Sequence, residues 1–177
     1  INALSVTLMH VPVIILASTM GPAAGAFLGF VFGCTSVIGA TMTPGITSFV
    51  FSPFVTVGGI SGNFFSLVIA LVPRILLGVI AGYVFKFAKK YCKATPVAAG
   101  IAAAVATVCH TIMVLGLIII LFGPQYSEAL GISQAALNGV MAGVIGTNML
   151  PEVIVAVVSN MALATALSSR YVGITQQ

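Results

Sequence analysis

The first charged residue of this sequence is Arg74, within a predicted apolar span, and Glu152 is the only acid within any such span. Arg74 lies about ten residues into its span, hence about 15 Å deep, near the middle of a bilayer. A guanidinium at that depth is costly unless it is paired or hydrated. Three arrangements satisfy it: an ion pair with Glu152, hydrogen bonds to helix carbonyls, or an anionic ligand. His10 and His110 also fall within apolar spans. His10 reads as a packed histidine bonded to a neighbour, and His110, in the outer half of the fourth span, is placed to line a cavity. Asn63, Asn138 and Asn148 offer amides on the same side, each equally suited to a helix cap or a turn.

Several chemistries are excluded. The sequence has no G-x-x-x-x-G-K-[ST] loop to cradle nucleotide phosphates and no H-E-x-x-H. Two isolated carboxylates make neither a proton relay nor a metal site. Cys34, Cys92 and Cys109 lack paired spacing, so neither a disulfide framework nor zinc is expected. The run "KFAKKYCK" (Lys86, Lys89, Lys90, Lys93) is explained by topology and lipid headgroups rather than by nucleic acid. The residues point to a binding protein, not an enzyme.

The elements that position these residues are membrane helices. Of 177 residues, 60% are hydrophobic and 5% charged, too few charges to cover a soluble domain. Lipid tolerates helices or closed barrels, and the apolar runs are too continuous for barrel strands. One helical domain over 1–177 is expected, with spans at about 5–18, 22–40, 64–87, 96–121 and 150–167. The lysine cluster and Arg170 place their ends in the cytoplasm. Ile1 then lies outside, and a preceding span, completing six with both termini inside, is expected to be missing from this sequence.

Two segments fall on the outer side. The first, 41–63, is uncharged and rich in Gly, Pro, Thr, Ser and Phe. It is expected to form an ordered lid whose hydroxyls and aromatics, Thr47 and Phe51 among them, face a cavity. The second, 122–153, is expected to be irregular. A straight helix from Gln134 to Ser169 would measure about 54 Å, so a break is expected near Gly146-Thr147-Asn148, with Asn148 capping the final helix. A kinked continuous helix is the competing picture.

The stretch "GPAAGAFLGFVFG" sets Gly21, Gly25, Gly29 and Gly33 at four-residue steps along one helix side. In lipid, close backbone approach is what holds helices together. The ridge therefore serves either packing within the bundle or docking of another membrane protein.

Together "TLMHVPVIILASTMGPAAGAFLGFVFGCTS", "SFVFSPF" and "VPRILLGVIAGYVFKFAKK" resemble the substrate-binding S components of energy-coupling factor (ECF) vitamin transporters, over residues 3 to 167. The resemblance implies an all-α, six-helix membrane bundle, here without its first helix, in a bacterial plasma membrane. It implies capture of a water-soluble vitamin on the outer side. It also implies partnership with a transmembrane coupling subunit (T component) and two cytoplasmic ATPases, which would supply ATP hydrolysis; this chain itself would carry no cofactor. Among such proteins the sequence is most similar to pantothenate-specific members, with riboflavin-specific ones next. One deep cation suits a small carboxylate, and the absence of tryptophan disfavours a large flat ring. Substrate contacts are then expected from Arg74, Asn63, His110, Asn148, Thr47 and Phe51. A self-contained oligomeric permease and a ligand-free structural subunit are the alternatives from other classes.

Overall fold

The structure, a computed structural model, describes residues 9–174, so residues 5–8 of the first expected span lie outside the described residues. It is a bundle of helices: α1 (His10–Met20), α2 (Pro22–Met42), α3 (Phe64–Tyr91), α4 (Thr95–Leu130), α5 (Gln134–Val144) and α6 (Leu150–Ile174). Among the described residues four helical stretches are long and apolar enough to cross a membrane: Pro22–Met42, Phe64–Tyr91, Thr95–Leu130 and Gln134–Leu167. The 11 described residues of α1 rise about 16 Å and are apolar as well.

Gly21 divides α1 from α2. Its φ of 97° is open to glycine at no steric cost, and Pro22 follows at the first helical position, where its missing N–H is no loss. From there α2 lies along α3 through its glycine ridge. A Cβ on Gly25 would come within 2.5 Å of the Ala17 Cβ and 2.8 Å of the Gly78 carbonyl oxygen, and one on Gly33 within 2.8 Å of the Ala70 oxygen. A Cβ on Gly29 would collide with the Arg74 carbonyl. The pairing is reciprocal, because Gly78 meets the Gly25 backbone and Gly82 meets Pro22. Gly25, Gly29 and Gly33 thus lie inside the bundle, at the α2–α3 contact. α3 also packs against α1 and α4, and α6 closes the bundle against α4 and α1.

The chain between α2 and α3 is folded. A 3₁₀ turn at Ser48–Val50 buries Phe49 and Val50 completely. A two-strand hairpin follows, β1 (Thr56–Val57) against β2 (Ile60–Ser61), turning through Gly58 and Gly59 at φ of 59° and 85°. Two successive positive φ values are what a tight hairpin turn requires. Asn63 then starts α3 with a capping box. Its Oδ1 accepts from the Phe65 N–H at 2.8 Å, and the Ser66 Oγ accepts from the Asn63 N–H at 3.0 Å. The Ser66 hydroxyl also donates to the Phe49 carbonyl at 2.6 Å, tying the lid segment to α3. Asn63→Ala should lower stability by about 1 kcal/mol, read as a small fall in the thermal midpoint of the detergent-solubilised protein, with ligand affinity little changed.

Two sequence expectations are corrected here. α4 does not stop near Leu121 but continues through Pro124 to Leu130, where Gly131 (φ 64°) caps it. Phe122 on this extension is fully buried and meets Phe49 edge-to-face at 5.8 Å, so packing under the lid segment sustains a helix that proline alone disfavours. The 122–153 segment is therefore helical over most of its length. Nor does Asn148 cap the last helix. Residues Ile145–Met149 form a π-helical turn, and the flanking Val144 and Leu150 keep helical angles. Pro151 accounts for it: in a regular helix its ring would press on the Thr147 carbonyl, and one widened turn relieves that clash. The kinked continuous helix is the observed form.

Candidate functional site

Pro73 lies inside α3 and has no N–H, so the Ile69 carbonyl four residues earlier loses its helix donor. The next side chain repairs the loss: Arg74 Nη1 donates to the Ile69 oxygen at 2.6 Å. This bond folds the guanidinium back along its own helix and inward. There it lies between two aromatic faces, 5.7 Å from the Phe32 centroid on α2 and 5.2 Å from the Phe51 centroid in the lid segment. Arg74 is only 8% exposed, and its Nε has no partner. The sequence left helix carbonyls, Glu152 or a ligand open as its partners. The helix carbonyl takes one of its five N–H groups, and no ion pair joins Arg74 to Glu152 among the described residues.

Arg74 opens on a cavity of about 520 Å³ between the lid segment and the helices, within the size range of small-molecule sites. Four titratable side chains from four helices reach it: His10 from α1, Arg74 from α3, His110 from α4 and Glu152 from α6. The aromatic walls are Phe32 and Phe51. Ser36 and Thr43 add hydroxyls, which donate to the Phe32 and Gly39 carbonyls of their own helix at 3.0 and 2.9 Å and keep lone pairs for an incoming donor. His110 Nε2 is buried and has no partner. Polar and charged groups from four helices, among them one guanidinium and one carboxylate, thus converge on one chamber. Such a set can bind and orient a small polar anion.

Of the residues the sequence marked, Arg74, His110 and Phe51 meet at this cavity. Asn63, Asn148 and Thr47 do not line it: Asn63 caps α3, Asn148 lies in the π turn with its Oδ1 3.3 Å from the Thr147 hydroxyl, and Thr47 hydrogen-bonds the Tyr126 side chain. Glu152 and the α2 face were not singled out as contacts. The signal for that face was present, because Phe32, Ser36, Gly39 and Thr43 recur at three- and four-residue steps.

A second cavity of about 450 Å³ lies at the other end of the bundle, walled mainly by apolar side chains such as Ile15, Phe85 and Leu163. Lys89 stands beside it, donating to the lining Thr95 hydroxyl at 2.7 Å. It brings together no set of charges comparable to the first.

A membrane-embedded helical bundle around a polar-lined cavity is the architecture of a solute-binding transport subunit. The family model for the substrate-specific component of ECF transporters matches residues 1–164, and the chain belongs to that family. It is 38% identical over 163 residues to the pantothenic acid transporter PanT of Lactococcus lactis subsp. cremoris (strain MG1363), an overlap of 92% of this chain and 77% of that protein. It is accordingly a multi-pass membrane transport protein of the vitamin-uptake class.

Proposed function

We propose that this chain is the capture subunit for pantothenate, binding it in the Arg74 cavity from the outer face of the membrane. The observation that carries the reading is the Arg74 guanidinium, buried between Phe32 and Phe51 on the wall of the cavity, with its Nε unsatisfied. A buried cation with spare donors recruits an anion, and a carboxylate fits its planar fork. Pantothenate carries one carboxylate, an amide and two hydroxyls on a small frame, and the similarity to a pantothenic acid transporter supports that choice. The lysines at the end of α3 support a cytoplasmic position for that end, and with it an outward-facing Arg74 cavity.

Capture needs no nucleotide here. Delivery to the cytoplasm is assigned to a coupling subunit and two ATPases, with ATP bound only by the latter. The test is uptake of labelled pantothenate into vesicles. Uptake is expected when the coupling subunit, both ATPases and ATP are present, and only background uptake when this chain is reconstituted alone. Robust uptake by this chain alone would make it a self-contained permease.

A further inference from the structure

Resting on the pantothenate reading, we infer that Glu152 receives the hydroxyl-bearing end of the ligand and rejects ligands that are anionic at that end. The cavity contains one guanidinium and one carboxylate, contributed by α3 and α6. Neutralising each other would be the simplest use of the two, yet no ion pair joins them among the described residues. Arg74 is held back by its bond to the Ile69 carbonyl and by the aromatic clamp of Phe32 and Phe51. Swinging across to Glu152 would forfeit both. Glu152 in turn sits in the first turn of α6, fixed behind Pro151 and the π turn.

The two charges therefore divide the cavity into an anion-accepting pole and a donor-accepting pole. An ionised carboxylate accepts hydrogen bonds and donates none. Hydroxyl or amide N–H groups on the ligand suit it, and a second negative charge beside it is repelled. The cavity selects a monoanion with uncharged donors at its far end. Phosphorylating such a ligand at its distal hydroxyl converts the best contact into the worst, so the same residue would keep phosphorylated forms from competing for the site.

Calorimetric titration of the full chain in detergent tests this with three ligands. They are pantothenate, N-(3,3-dimethylbutanoyl)-β-alanine, which lacks both hydroxyls, and 4′-phosphopantothenate. The wild-type protein should bind the dehydroxylated compound at least about tenfold more weakly than pantothenate, the loss expected when hydrogen bonds to a charged group are removed. It should bind the phosphorylated one more weakly still. Glu152→Gln should lose about tenfold for pantothenate and bind the dehydroxylated compound as the wild type does. It should also narrow the gap to the phosphorylated compound.

Equal wild-type affinity for pantothenate and the dehydroxylated compound overturns the inference, as does a Glu152→Gln protein that keeps both preferences. Should Glu152→Gln not fold, Glu152→Asp keeps the charge and withdraws the acceptor. It should weaken the hydroxyl preference while still rejecting the phosphate, and an unaltered hydroxyl preference overturns the inference. A wild-type protein that binds none of the three removes the pantothenate reading itself. Tight pantothenate binding without the hydroxyl preference removes only the role of Glu152.

Discussion

Arg74→Ala should reduce pantothenate affinity by about 100-fold or more and lower the stability of the empty protein as well. The two effects arise from different N–H groups of one side chain. Nη1 holds the Ile69 carbonyl that Pro73 leaves without a helix donor. Removing it leaves a buried acceptor unsatisfied, at about 1–3 kcal/mol. The guanidinium also lines the cavity, and truncating one partner of a buried charge pair costs about 2–5 kcal/mol of binding. Arg74→Lys separates the roles. Its ammonium keeps the charge but lacks the planar fork and its spread of donors. It therefore cannot hold the carbonyl and meet a carboxylate in the same way, and affinity should fall by about tenfold or more. Titration together with thermal unfolding in detergent reads both effects. Wild-type affinity in Arg74→Ala would remove the residue from the site.

The second large effect lies in the glycine ridge. Gly29→Ala should destabilise the bundle by more than about 2 kcal/mol, because the obstacle to the new methyl group is the Arg74 carbonyl of α3, which moves only with its helix. Pushing α3 away displaces Arg74, so pantothenate affinity should fall in the same variant. Gly139→Ala is the matched control. A Cβ there meets nothing within 4 Å, and alanine is the better helix former, so stability should hold or rise. Comparable losses from the two substitutions would mean that the loss at Gly29 does not come from close approach to α3.

The contrast between these glycines shows what sequence can and cannot reveal. Spacing places Gly25, Gly29 and Gly33 on one helix side, and the low charge places them in lipid. Which surface they meet depends on α3 presenting Ala70, Arg74 and Gly78 at the matching step, and that pairing is a tertiary fact. Arg74 stands out for a comparable reason: a charge inside an apolar run is conspicuous in any reading. Its neighbour Pro73 explains where its first hydrogen bond goes, a relation four residues long that is legible once both are considered together.

The remainder of the cavity was harder to see. Asn63 has the chemistry of a ligand contact and also that of a cap, and a cap is decided by whether a helix starts one residue later. Pro124 looks like a helix terminator, yet the buried Phe122–Phe49 contact carries α4 past it. Near Asn148 the sequence shows a glycine, a threonine and a proline within six residues, which marks an irregularity without saying which kind. The structure resolves it as a widened turn that leaves α5 and α6 on one path and delivers Glu152 to the cavity.

The most direct test of the account is calorimetric titration of the purified wild-type chain with pantothenate, in detergent, without ATP and without partner subunits. The account predicts saturable binding at one molecule per chain. No heat of binding and no thermal stabilisation at millimolar pantothenate, from protein shown to be folded, would contradict it.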